Sequence, residues 1–359
     1  MVYVGVFRSS YEYFTAAKEV VECILQKYQT DRIMATITTT SNSALPRHLR
    51  PFDARRDLGA VADLIEACFD NTLDPDGRRY LRNMRSAARN KGLDRWVAMA
   101  SGSTSLPLAG FVWEEQGRVV GNLSMIPFFT QGRRIYLIAN VAVFPEYRRR
   151  GIARALTEAA LEKSQQRRVN QIWLQVREDN PAALGLYISM GFVQRARRTT
   201  WNSDPVTLKG EAPTGVRVTL RSPHHWSKQQ SWLNQLYPPE LRWNLLLRIR
   251  SFQPGLRGLF HRFFNEVDVR HWAAQRGKEL IGLLTWQASR GYADRLWLAV
   301  PLENEDLAVQ ALAAFISRVG HLRRPLTLDY PADRARDILA AAGFQSQHTL
   351  IWMETEHDS

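Results

Sequence analysis

Cysteine is scarce: Cys23 and Cys68 are the two in 359 residues. Both fall in segments of helical spacing, so no disulfide framework is expected and a reducing, cytoplasmic location follows. No run of about 18 apolar residues occurs, which leaves no candidate membrane span. The first residues lack the charged-then-apolar layout of a signal peptide, and Glu12, Glu19 and Glu22 argue against a mitochondrial address. Acidic residues are outnumbered, 35 against 48 Lys and Arg, giving a net charge of +13. A basic excess of this size admits nucleic acid, an anionic membrane surface or a small anionic ligand. No aromatic-plus-basic nucleic-acid motif and no basic helix with a clean apolar face is read, so neither nucleic acid nor membrane is expected as a partner. His224 and His225 are adjacent and lack Cys or carboxylate residues at ligand spacing, so no metal is expected.

What the chain has is the composition of a folded protein, 45% hydrophobic and 23% charged, at a length that suits two domains. Tyr13, Phe14, Ala17, Val20, Val21, Ile24, Leu25 and Tyr28 recur at helical spacing, and a Thr- and Ser-rich stretch follows from Thr36 to Pro46. Residues 1–46 therefore read as a helical extension and linker. A natural start at Met34 would fit the sequence as well.

The chain is organised around residues 138–161. An apolar, β-branched run from Ile135 to Phe144 reads as a buried strand, and Pro145 ends its pairing. A basic turn follows, Arg148-Arg149-Arg150-Gly151, and helical spacing begins at Ile152. Strand, glycine-containing basic turn and helix together make an anion cradle. Unpaired N–H groups at the helix start point outward, and the helix dipole adds partial positive charge. Gly151 permits close approach of a ligand, and Ala153 keeps the helix mouth open.

These residues resemble a known family. Val143-Phe-Pro145-Glu-Tyr-Arg148-Arg-Arg-Gly151-Ile-Ala153 looks like the acetyl-CoA pyrophosphate loop of the GNAT superfamily of N-acetyltransferases. Downstream, Asn180-Pro-Ala-Ala183-Leu-Gly-Leu-Tyr187-Ile-Ser-Met-Gly191-Phe192 resembles the family's second motif, an Asn, a helix carrying Tyr, then Gly-Phe. Between them QIWLQV reads as a buried strand. The resemblance implies an α/β fold (α+β, mixed sheet), each domain a central twisted sheet flanked by helices.

In order, the first domain (47–203) reads as a short strand at 48–52, helices at 57–69 and 76–89, and strands at 95–100, 108–115 and 118–128. The central strand and helix, a strand at 171–176, the 180–190 helix and a closing strand at 193–202 follow. Residues 204–215 read as a linker. The second domain (216–359) repeats the layout weakly: strands at 216–220, 279–287, 293–300, 325–328 and 347–353, with helices at 227–236, 307–319 and 332–342. Gly343-Phe344 falls where Gly191-Phe192 stands, so the chain looks like two GNAT-like domains in tandem, the second degenerate. The aromatic-rich region from Trp226 to Trp272 reads mostly as packing, and Arg195 to Arg198 as a solvated face.

The resemblance implies acetyl-CoA as co-substrate, with no metal, and an amine acceptor on a small molecule, peptide or protein. It implies that Asn140, Val141, Ala142 and Val143 line the pantetheine arm, with a backbone N–H near Val141 polarising the thioester carbonyl. Arg148, Arg149, Arg150, Gly151, Ile152 and Ala153 form the pyrophosphate cradle. Asn180 contacts the pantetheine, caps the helix before Pro181, or does both. Tyr187 is the expected general acid, because a phenol with pKa near 10 can protonate a leaving thiolate, and the alternative is a core tyrosine packed on the helix. The general base is not legible: the central strand carries no carboxylate, and Glu114 and Glu115 on a neighbouring strand are the candidates beside a water chain. The implied activity is N-acetyl transfer by direct attack in a ternary complex. The alternatives are a non-catalytic acyl-CoA sensor and an acyltransferase for a longer acyl chain.

Overall fold

A computed structural model describes residues 46–89, 109–130, 132–204, 207–245, 247–265, 267–303, 305–319 and 322–356. The expected N-terminal helix and the strand at 95–100 lie outside them. The chain divides into two compact units, Met1–Arg195 with Trp352–Ser359, and Ala196–Ile351.

In the first unit, β1 (Leu49–Pro51) leads into helices α1 (Ala54–Phe69) and α2 (Pro75–Arg89). Strands β2 (Ala109–Glu115), β3 (Arg118–Thr130) and β4 (Arg133–Val143) follow as an antiparallel meander, with β1 antiparallel to β2. Helix α3 (Ile152–Gln166) then crosses to β5 (Gln171–Arg177), which is parallel to β4, and α4 (Pro181–Ile188) ends the run before β6 (Val193–Ser203), whose residues from Ala196 on belong to the second unit. From Ile135 to Val143, β4 is buried without alternation, as expected of a strand covered on both faces. Helices α1 and α3 both pack on β3 and β4. Gly121 on β3 makes room for α3, since a Cβ there would lie 2.8 Å from Ile152 Cγ2. Asp57 anchors α1: buried, it accepts from the two terminal nitrogens of Arg50 at 2.7 and 2.8 Å and from the backbone N–H of Asp53.

The second unit repeats the order. It contains β7 (Val216–Leu220), α5 (Trp226–Leu236), α6 (Pro239–Leu245), α7 (Gly255–Asn265), β8 (Val269–Arg276), β9 (Glu279–Gln287) and β10 (Asp294–Ala299). Helix α8 (Glu305–Ile316), β11 (Leu326–Pro331), α9 (Arg336–Ala341) and β12 (Gln345–Glu356) complete it, the last five residues of β12 belonging to the first unit. Strands β7, β8, β9 and β10 are successively antiparallel and β10 pairs β11 in parallel, the same pattern as β1 to β5.

The region from Trp226 to Trp272, expected mostly as packing, supplies α5, α6, α7 and the first half of β8, and Leu233, Leu236, Tyr237, Leu241, Trp243 and Phe252 are buried. Two expectations change here. The helix expected at 332–342 begins only at Arg336, because β11 runs on to Pro331 and Asp333 and Ala335 adopt positive φ. Arg198 does not lie on a solvated face. It is buried, paired with buried Asp329, donates to the Leu236 carbonyl and lies over the Tyr237 ring.

Candidate functional site

The central feature of the first unit is a parting of β4 from β5. Their parallel pairing covers Ile135–Ile138 against Gln171–Leu174, while β4 continues to Val143 and β5 to Arg177. The parting begins just before a β-bulge. On β3, Asn122 opposes Ala142 and Ser124 opposes Ala139, so Asn140 and Val141 together face the single residue Leu123. Asn140 has φ of 50°. Its carbonyl accepts from Asn122 Nδ2 at 2.9 Å, and both amides approach the Ser124 hydroxyl, at 3.4 and 3.5 Å. All three side chains are buried. The polar pair Asn122 and Ser124 thus holds open a backbone stretch that sequence reasoning assigned only on its β4 side. The cue was two polar residues inside the apolar run of β3.

At the end of β4 the chain turns through Pro145–Tyr147 into the basic loop. Arg148 folds back, its Nε donating to the Val143 carbonyl at 3.1 Å, and the buried Cys68 thiol reaches the same oxygen at 3.4 Å. Burial, partly offset by Arg148, pushes that thiol above its ordinary pKa. Arg149 and Gly151 both take left-handed backbone conformations, at φ of 61° and 79°. Such residues let successive N–H groups converge into an anion-binding concavity. A Cβ on Gly151 would meet nothing within 4 Å, so the space before the helix is open. Gly151 is the N-cap of α3 and makes no side-chain cap, the first turn carries no acid, and its N–H groups have no intrahelical acceptor. Arg150 pairs with Glu115 at 3.0 and 3.1 Å and lies over the Tyr147 ring. Ile152 is buried under the cradle against Gly121, whereas Ala153 is half-exposed at its rim. This donor set fits a pyrophosphate: positive charge, an open helix mouth, and no carboxylate in the first turn.

Asn180 caps α4, its side chain accepting from the Ala183 N–H at 3.2 Å, with Pro181 at the first helical position. Tyr187 is buried and meets the Phe192 ring edge-on at 5.7 Å. Burial lifts its phenol pKa well above the ordinary value, which keeps the proton on oxygen. Gly191, at φ of 86°, lets the Phe192 N–H return to the Tyr187 carbonyl at 3.0 Å. Glu114 is held ionised by Arg50 and Arg56, and Glu115 by the Trp113 indole N–H and Arg150, so both carboxyls sit below the usual range. Neither is disposed to take a proton at neutral pH. Among the described residues no group of three or more His, Cys, Asp or Glu could hold a metal.

A strand β4 that parts from β5 just before a bulge and leads into a basic, glycine-bent helix start defines a mixed-sheet α/β protein with an open, positively charged helix mouth. The chain belongs to the acetyltransferase (GNAT) family. The profile of that family matches residues 88–192. N-alpha-acetyltransferase 30 of Saccharomyces cerevisiae is 42% identical over 150 residues, 41% of this chain and 77% of that protein. The [Ribosomal protein bS18]-alanine N-acetyltransferase of Escherichia coli (strain K12) is 42% identical over 62 residues, 17% of this chain. The match spans 42% of that relative's own length. A GCN5-related N-acetyltransferase from Sphaerobacter thermophilus superposes with a TM-score of 0.55 at 16% identity, covering 87% of this chain and 97% of that one. That likeness shows the fold and takes in both units.

Proposed function

We propose that the first unit is an acetyl-CoA-dependent N-acetyltransferase that passes an acetyl group to a primary amine by direct attack in a ternary complex. The observation that carries this reading is the parting of β4 and β5 after Ile138, on the strand that leads into the open cradle at Gly151. Arg148, Arg149, Arg150, Gly151, Ile152 and Ala153 hold the pyrophosphate of the co-substrate. Asn140, Val141, Ala142 and Val143 offer backbone groups to its pantetheine arm, with the Val141 N–H polarising the thioester carbonyl. Acetyl-CoA supplies the activated acyl group. Asn180 orders the turn into α4, and Tyr187 holds the proton that the departing sulfur requires. With Glu114 and Glu115 engaged by arginines, water removes the proton of the acceptor ammonium.

The relatives' names speak of a ribosomal-protein alanine and of α-amines, so protein N-termini head the acceptor classes to test. The experiment is thiol release from acetyl-CoA over a panel of small amines, lysine peptides and peptides with free N-termini. Turnover with one class supports the reading. Tight binding of acetyl-CoA with no turnover on any amine overturns it in favour of an acyl-CoA sensor, and faster release from longer acyl-CoAs reassigns the donor.

A further inference from the structure

The peptide that joins Asn140 to Val141 is planar and trans, so its carbonyl oxygen and its N–H point in opposite directions. The Asn140 carbonyl is held by Asn122 Nδ2 at 2.9 Å, on the β3 side of the strand. The Val141 N–H of the same peptide is thereby turned away from β3, to the side where β5 has stopped pairing. The ladder beyond gives the same direction. The Phe144 N–H bonds the Val120 carbonyl of β3 at 3.1 Å, so by alternation Ala142 faces β3 while Val141 and Val143 face away.

A side chain is needed here because the extra residue of a bulge is left without a ladder partner, and Asn140 and Val141 have only Leu123 opposite them. Strand β3 is also pressed from its other edge. Gly110 of β2 opposes Ser124, and a Cβ on it would lie 2.1 Å from the Leu123 carbonyl oxygen. Asn122 itself is fixed: it is 1% exposed, and its amide shares the Ser124 hydroxyl with that of Asn140. A carbonyl that accepts a hydrogen bond polarises its peptide, so Asn122 strengthens the Val141 N–H as a donor as well as aiming it. The second unit carries the contrast. Gly282 of β9 faces α8 as Gly121 of β3 faces α3, which sets Leu283 where Asn122 stands and Thr285 where Ser124 stands. Leu283 has no side-chain donor, Thr285 is taken up by Gln229 and His271, and β9 pairs β10 without a break from Arg295 to Ala299. Donor and bulge are absent together.

We propose that Asn122 is a positioning residue for acetyl transfer: through the Asn140 carbonyl it aims and strengthens the Val141 N–H at the thioester oxygen, with Ser124 fixing its amide. The inference rests on the acetyl-CoA reading above and adds to it a residue on β3 that touches neither co-substrate nor acceptor. A donor that is aimed before the ligand arrives needs no rearrangement as negative charge grows on the thioester oxygen. Asn122 should therefore act on the chemical step and on the bound carbonyl, and leave the binding of the rest of the co-substrate alone.

The test reads the thioester directly. Difference infrared spectra of carbonyl-labelled acetyl-CoA on the full chain should place its carbonyl stretch below that of the free compound. In Asn122→Leu, which puts the second unit's residue at this position, the band should return most of the way to the free value. Turnover on the amine that the acceptor panel identifies should fall about tenfold to a hundredfold, less than the loss of a whole oxyanion donor, with KM for acetyl-CoA moving less than about twofold. Affinity for CoA, which has no thioester carbonyl, should be unchanged. Ser124→Ala reaches the carbonyl only through Asn122 and should cost about threefold in turnover, with a partial return of the band. It decides the matter by the same readouts should Asn122→Leu fail to fold. A native band at the free position, variants with native band and native turnover, or a loss of CoA affinity equal to the loss of turnover would each overturn the proposal. If the bands move as expected and no amine is acetylated, the acetyl-transfer reading fails while the aiming of Val141 by Asn122 is upheld.

Discussion

Replacing Gly151 by Ala separates the cradle's role in binding from its role in folding. At φ of 79° an L-residue is disfavoured by about 1–2 kcal/mol. The new methyl meets no protein atom within 4 Å, so no clash adds to that cost. For a unit of this size each kcal/mol moves the melting point by roughly 2–4 °C, which sets an expected drop of roughly 2–8 °C. The effect on acetyl-CoA should be larger. The methyl stands where a phosphate must come close, and losing one hydrogen bond to a charged group costs about 1.5–3 kcal/mol. At 1.4 kcal/mol per tenfold, that is a roughly 10- to 150-fold weaker Kd. The control is Gly132→Ala. Gly132 has φ of 74° and equally open surroundings, but sits in the turn before β4, at the strand end opposite the cradle. It should show the same loss of melting temperature and no loss of affinity. Calorimetric titration and thermal unfolding of both variants decide the matter. Equal affinities for Gly151→Ala and Gly132→Ala would refute the assignment of the cradle.

Reversing the charge in Arg148→Glu should weaken acetyl-CoA binding strongly at low salt and less at high salt, read by the same titration. Tyr187→Phe should lower kcat about a hundredfold or more with little change in KM for acetyl-CoA. An unaltered kcat would make Tyr187 a packing residue beside Phe192. Burial raises the Asp57 carboxyl pKa, but the bonds from Arg50 and Asp53 and the charges of Arg50 and Arg56 outweigh it, and the net shift is downward. Its stabilising effect is therefore full above the unfolded value of about 3.9 and is lost as pH falls through the lower folded value. Acid melts should show that loss in the native protein but not in Asp57→Asn, which should also be about 3–5 kcal/mol less stable at neutral pH. Titration should find one acetyl-CoA per chain, and none in the Arg148→Glu protein at concentrations that saturate the native one.

The strand–turn–helix at the centre was legible because its hydrophobic period changes at a proline and a glycine, and local chemistry alone enforces both breaks. Asn180 was legible as a cap for the same reason: the residue before a first-turn proline has few other things to do. Features set by distant partners were not. Arg198 looks like one charge in a surface run until Asp329, 131 residues away, is brought beside it. The bulge at Asn140 depends on Asn122, which approaches only when β3 folds back. Strand β8 carries His, Trp and Arg among alanines and shows no alternation, so nothing in VRHWAAQR signalled a strand. Tyr187 was legible both as a motif residue and as a core tyrosine packed on its helix, and its burial beside Phe192 agrees with the second reading without deciding the first.

The two units share packing devices but differ at the helix start where the first carries the proposed cradle. Gly282 on β9 faces Ala308 and Leu312 of α8 as Gly121 on β3 faces Ile152 and Leu156 of α3, so the strand–helix packing is common to both. Gly343, at φ of 94°, returns the Phe344 N–H to the Leu339 carbonyl at 3.0 Å, as Gly191 does for Phe192 and Tyr187. These two packing devices are thus repeated, and the features of the proposed cradle are not. The β9–β10 register runs unbroken from Arg295 to Ala299, without the bulge that β4 carries. By the packing of the two helices, Leu307 and Val309 stand where Gly151 and Ala153 do, and by the Gly343 turn Leu339 stands for Tyr187. Asn304, set against Arg148, lies outside the described residues. The first turn of α8 holds two acids, Glu305 and Asp306. Glu305 is buried, accepts the Tyr330 hydroxyl at 2.6 Å and pairs with Arg334 at 3.0 Å. Two carboxylates thus place negative charge at the positive end of α8, where the first turn of α3 carries none. A pyrophosphate there would meet both Glu305 and Asp306, which is why a single equivalent of acetyl-CoA is expected per chain.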